Sequence, residues 1–139
     1  MLASRYKDLF RFAKDWLDAW TGNDPEFLLS FYTDDALYVD PANRNGLRGK
    51  DEIRSYFVRL LDVYRDWTWV PLEVFPIEKG MIVKWRCQIH IPEIETIEET
   101  GVDIVEIRDG KISRNEVYFD RSRLVEVVQA RRRMHRLIS

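Results

Sequence analysis

The feature that most constrains this chain is a change of hydrophobic period near Trp67. Between about Lys50 and Tyr64, Ile53, Tyr56, Phe57, Leu60, Leu61 and Tyr64 stand at i, i+3, i+4, i+7, i+8 and i+11, one face of an α-helix. Beyond Trp67 the apolar residues alternate instead. In "MIVKWRCQIHI", Val83, Trp85, Cys87, Ile89 and Ile91 take one side of a strand, and Lys84, Arg86, Gln88 and His90 take the other. Such alternation marks a sheet with one dry face and one wetter face. Helices first and alternating strands afterwards make an α+β domain, with helices gathered on one face of an antiparallel sheet.

The remaining elements follow from the same reading. A first helix is expected from about Ser4 to Thr21, its apolar face built from Tyr6, Leu9, Phe10, Ala13, Trp16, Leu17 and Trp20, and Gly22 stops it. Asp24 and Pro25 read as an N-cap and first helical residue of a short helix to about Tyr32. A strand from Ala36 to Asp40 comes next, and "PANRNGLRG", with two glycines and two asparagines, reads as a turn-rich connection. "GVDIVEI" and "ISRNEVYF" are strands joined at "RDGK", where Asp-Gly signals a hairpin. A last helix is expected from about Arg121 to Leu137. The basic run "RRRMHR" near its end complements the helix dipole and does not by itself call for an anionic partner. At 139 residues the chain is one domain, 1–139, with residues 121–139 as a C-terminal helix.

Composition narrows the function. Five Trp, six Tyr and seven Phe in so short a chain point to a wide core or an aromatic-lined cavity. A net charge of −2 argues against nucleic acid as a partner. One cysteine allows no internal disulfide and fits a reducing compartment, so a cytoplasmic location is expected. No signal peptide is visible and no stretch is apolar enough to span a membrane. Two histidines and one cysteine provide no zinc spacing, and there is no Gly-rich phosphate loop or G-x-S-x-G elbow.

The alternation also says which acids face the hollow between helices and sheet. If Val105 and Ile107 point inward, Asp103 does too, because strand side chains repeat every two residues. On the last strand Asn115, Val117 and Phe119 form the inner set, since the other set carries Arg114 and Glu116. Asp40 ends an apolar strand, where it is either a turn-former bonding its own backbone or a carboxylate placed for chemistry. Two acids in an aromatic cavity, their pKa values pushed apart by burial and by each other, are equipment for moving protons at neutral pH. Such a pair supports enolisation beside a carbonyl with no metal and no cofactor.

The ordered segments "WLDAWTGNDPEFLLSFYTDDALYVDP", "GLRGKDEIRSYF" and "VDIVEIRDGKISRNEVYFD" resemble the nuclear transport factor 2-like superfamily, within it the SnoaL-like polyketide cyclases and ketosteroid isomerases. The resemblance covers about Ser4 to Asp120. It implies a cystatin-like α+β barrel: a cone-shaped, curved antiparallel sheet closed by three N-terminal helices, with the C-terminal helix as an addition. It implies the proton-shuttling base at Asp40 and a protonated oxyanion donor at Asp103. In the cyclases a single acid on a later strand does the work, and Asp103 matches that place better. The isomerases carry a tyrosine on the first helix where Trp16 stands here.

The expectations are therefore as follows. The chain is a cofactor-free isomerase, cyclase or dehydratase acting on a small apolar carbonyl compound, with Asp40 and Asp103 as catalytic acids. Trp16, Tyr32, Phe57, Trp85, Cys87, Asn115, Val117 and Phe119 are candidate substrate contacts, and no metal is called for. A homodimer through the sheet is expected, with no nucleic-acid or membrane partner. The alternative is a non-catalytic binding module or a dimerising interaction domain of the same fold.

Overall fold

A computed structural model describes residues 2–138. The elements, in chain order, are α1 (Leu2–Asp18), α2 (Pro25–Leu29), β1 (Tyr32–Asp40), β2 (Asn43–Arg48), α3 (Gly49–Val63), β3 (Thr68–Ile77), β4 (Gly80–Ile91), β5 (Glu95–Arg108), β6 (Lys111–Tyr118) and α4 (Ser122–Ile138). The six strands form one sheet in the order β2-β1-β6-β5-β4-β3. Neighbours are antiparallel except β1 and β6, which run parallel, so the expectation of a wholly antiparallel sheet is corrected at this one pairing. The physical reason is connection length. Residues between β1 and β6 form the rest of the sheet, ample chain for the crossover that parallel strands need.

Local signals act where the sequence places them. Asp24 caps α2, its carboxylate accepting from the Phe27 N–H at 3.1 Å, with Pro25 at the first helical position. Asp109 and Gly110 both have positive φ, 53° and 78°, as a two-residue hairpin turn between β5 and β6 requires. Three boundaries differ from expectation. α1 ends at Asp18, not Thr21, and α2 ends at Leu29, so β1 begins at Tyr32 and not at Ala36. Most of "PANRNGLRG" is not a loop: Asn43–Arg48 pairs antiparallel with β1, Leu37 opposite Arg48 and Tyr38 opposite Leu47. Gly46, at φ 85°, permits this. A Cβ there would lie 2.8 Å from Leu37 Cδ1, so glycine lets the polar segment lie close on the apolar strand.

β-Bulges interrupt the register between Tyr38 and Asp40, between Pro71 and Glu73, and between Glu106 and Ile107. Bulges bend and twist a sheet, and here they help curl it around the helices. The core lies in that concavity, with Trp16, Tyr32, Phe57, Trp85, Val83, Val105 and Ile112 fully buried. The bulge at Ser113 keeps both Ile112 and Asn115 on the inner face. α4 crosses the open end. It is tied to the tip of the β4–β5 hairpin by Arg123 to Glu95 (2.7 and 2.8 Å), by Arg131 Nε donating to the Pro92 carbonyl at 3.1 Å, and by His135 to Glu93 at 3.2 Å. Among the described residues no helix is long and apolar enough to cross a membrane.

Candidate active site

Inward-facing residues of β1, β3, β4, β5 and β6, with one face each of α1, α3 and α4, enclose a cavity of about 350 Å³. That is the lower end of the range for small-molecule sites. Its walls are aromatic: Trp20, Tyr38, Tyr56, Tyr64, Trp67, Trp69 and Phe119. α4 adds Leu124, Val125, Val128, Gln129 and Arg132. Two carboxylates line it, Asp40 and Asp103, both buried.

The two acids are held differently. Asp40 ends β1, inward like Tyr38 two residues before it. Its Oδ1 accepts from the backbone N–H groups of Ala42 (2.9 Å) and Asn43 (2.8 Å) and from Asn43 Nδ2 (2.9 Å). Its Oδ2 accepts from the hydroxyls of Tyr38 (2.9 Å) and Tyr56 (2.6 Å). Asp40 is thus the turn-former that the sequence allowed, and it also lines the cavity. Burial, with the Asp40 charge beside them, raises the pKa of both tyrosines, so their protons stay on.

Among the described residues Asp103 accepts two bonds, from Trp85 Nε1 to Oδ1 and from Asn115 Nδ2 to Oδ2, each at 2.8 Å. No cation pairs with it among the described residues. Burial pushes its carboxyl up to about 7; the bonds from Asn115 and Trp85 pull the other way, and the Asp40 charge adds to the rise. A carboxyl that gains and loses its proton near neutrality, with lone pairs unused, is equipped for acid–base work.

Behind Asp103 runs a buried relay. Trp16 Nε1 donates to the Tyr32 hydroxyl at 3.1 Å, that hydroxyl donates to Asn115 Oδ1 at 2.9 Å, and Asn115 Nδ2 donates to Asp103. Trp16, Tyr32 and Asn115 therefore do not line the cavity but fix the carboxyl that does. Trp85 lies under Asp103, and Phe57 packs behind Trp20 and Tyr38 with ring centroids 5.0 and 5.2 Å away. Cys87 is fully buried and burial pushes its thiol up, leaving it unreactive. Among the expected contacts, Val117 and Phe119 line the cavity directly, as do the two aspartates.

Sequence reasoning missed Tyr38, Tyr56, Trp20, Trp67 and Trp69 as wall residues. The signal for Tyr38 was present, since it shares the strand parity of Asp40. Tyr56 sat on the apolar face of α3, where nothing in the spacing distinguishes a tyrosine that reaches a carboxylate from one that only packs. Among the described residues no group of three or more His, Cys, Asp or Glu stands together.

An aromatic cavity with a neutral-range carboxyl, built on a bent sheet and covered by helices, places the molecule in the α+β cone class. The chain belongs to the SnoaL-like domain family, whose model matches residues 13–115. No curated protein matches it significantly. Solved structures agree on the fold, that of the nuclear transport factor 2-like superfamily. A protein of ketosteroid isomerase-like fold from Catenulispora acidiphila, in complex with trimethylamine, shares 18% identity over 81% of this chain and 87% of its own, with a TM-score of 0.71. A protein from Jannaschia, named as a SnoaL-like polyketide cyclase, shares 11% over 86% and 90%, TM-score 0.71. A phenazine biosynthesis-related protein from Pseudomonas aeruginosa shares 20% over 88% and 83%, TM-score 0.65. At these identities the likeness is one of fold, and fold alone does not carry function.

Proposed function

We propose that this protein catalyses cofactor-independent proton transfer on a small, largely apolar carbonyl compound, with Asp103 as the group that takes and returns the proton. The observation that carries the reading is the Asp103 carboxyl: buried on an aromatic cavity wall, paired with no cation among the described residues, and pushed by burial up to about 7. Ionised, it removes a proton from the carbon beside the carbonyl, and the bonding pair moves into an enolate. Protonated, it delivers that proton to a carbon of the same molecule, completing an isomerisation or priming a ring closure. Asp40 is better suited to holding the site together than to serving as the base, because its oxygens accept five bonds from the protein where those of Asp103 accept two. With Tyr38 and Tyr56 it forms a fixed polar edge against which a substrate is oriented.

The test is exchange of α-hydrogens for deuterium in 2-acetylnaphthalene, an aryl ketone small enough for the cavity, followed by NMR in D2O. Exchange accelerated by the protein and reduced about 100- to 10,000-fold in Asp103→Asn is the expected result. Binding of the ketone without exchange would favour a non-catalytic binding module.

The same reading takes the protein as a homodimer paired through the outer face of the sheet. There Val70, Phe75, Val102 and Tyr118 are exposed among charged neighbours. Light scattering at micromolar concentration decides it, and Val102→Glu should shift a dimer towards monomer.

A further inference from the structure

Proton abstraction next to a carbonyl leaves charge on the oxygen, and that charge needs a hydrogen-bond donor in the same cavity. Trp16, a candidate substrate contact on the first helix, is committed to Tyr32. Trp85 donates to Asp103 and Trp67 to the Trp20 carbonyl at 2.6 Å. Trp69 differs. It is 9% exposed and its ring forms part of the cavity wall, yet its Nε1 is the one buried side-chain polar atom among the described residues with no hydrogen-bond partner. Buried N–H groups are rarely left without an acceptor, and orphans call for an explanation.

The position of this orphan supplies one. Trp69 stands opposite Cys87 on β4, and its ring centroid lies 4.6 Å from that of Trp85, at 70°. Trp85 in turn holds Asp103 at 2.8 Å. An unpartnered donor and the proton-carrying carboxyl thus flank the same indole. We propose that the Trp69 indole N–H binds the carbonyl oxygen of the substrate and stabilises the oxyanion formed when Asp103 takes the proton. This rests on the proton-transfer reading and adds to it: the substrate is an aromatic or similarly flat apolar molecule with a carbonyl aimed at β3. An indole holds its proton far more tightly than a carboxylic acid, so it donates without being consumed and leaves proton movement to Asp103.

The experiment compares 2-acetylnaphthalene with 2-ethylnaphthalene, which has the same skeleton without the oxygen. Trp69→Phe removes the N–H together with the pyrrole ring, so the hydrocarbon serves as the reference for lost packing. The expected result is a loss of ketone binding about tenfold greater than any loss of hydrocarbon binding, since both probes feel the lost packing and only the ketone feels the lost donor. The wild-type protein gives a check that needs no folded variant. Its Trp69 indole N–H resonance should move downfield with the ketone and not with the hydrocarbon. Equal weakening for both probes means that Trp69 only packs, and that result overturns the proposal, as does an indole resonance indifferent to the ketone or a wild type that does not bind it. A ketone that binds through Trp69 but does not exchange its α-hydrogens would leave Trp69 as the donor to the carbonyl oxygen and reject the proton-transfer reading together with the oxyanion role.

Discussion

Asp40 and Asp103 occupy the same row of the sheet, one on each side of Val117. Asp103 pairs with Val117 directly, and β1 runs Tyr38 beside Asn115 and Val39 beside Glu116, so Asp40 falls beside Val117 from the other side. Two strand spacings put their Cα atoms about 10 Å apart. Val117 lies at the cavity wall between them. A small substrate resting on Val117 therefore meets a carboxyl at either edge. One is saturated with donors from the protein; the other keeps acceptor capacity to spare.

This difference makes stability depend on pH with a definite sign. Asp103 is held near 7 in the fold, against about 4 in an unfolded chain. The folded state thus binds the proton more tightly, and the stabilisation it gives is complete below about pH 4. Stability should fall as pH rises from about 4 to 7 and level off above, by on the order of a few kcal/mol. Urea unfolding of the wild type and Asp103→Asn across this range is the check. The wild-type curve should drop relative to the variant, and parallel curves would exclude a raised Asp103.

Asn115 should tune the proton that Asp103 carries. Its Nδ2–H bond favours the ionised form, so Asn115→Ala should raise the carboxyl further. The rising limb of the pH–rate profile for exchange is expected near 7 in the wild type and above 7 in the variant. A stability loss with no movement of the limb would reduce Asn115 to a packing residue.

Asp40 should matter more to stability than to proton transfer. Asp40→Ala frees residues 42 and 43 and leaves the Tyr38 and Tyr56 hydroxyls without their acceptor. A loss of about 2–4 kcal/mol is expected. Tyr56→Phe, which removes one donor and leaves four, should cost about 1 kcal/mol. Denaturant titration measures both, and equal costs would contradict the picture of Asp40 as a hub.

Gly101 should be intolerant of any side chain. It pairs across the sheet with Trp85, and a Cβ there would lie 2.6 Å from Trp85 Cζ2, 2.7 Å from Phe119 Cβ and 2.7 Å from the Tyr118 carbonyl. Gly101→Ala should cost about 1–3 kcal/mol and shift the Trp85 indole off Asp103. The Trp85 N–H resonance would report that shift directly.

The sequence by itself determined the helix-then-strand order, the inward parity of Asp103, Asn115 and Val117, and the apolar faces of α1 and α3. These follow from local periodicity, and the two periods here are strong and do not overlap. It did not determine that "NRNGLR" would be a strand, because its polar residues carry no alternation and its pairing is set by the neighbouring β1. Only the tertiary structure decided which aromatic side chains line a cavity and which merely fill the core. Trp16, Trp69 and Trp85 read alike in sequence. One is spent on Tyr32, one on Asp103, and one is left with its N–H unpaired, because hydrogen-bond partners are fixed by strand register and helix docking, which bring together residues far apart in the chain.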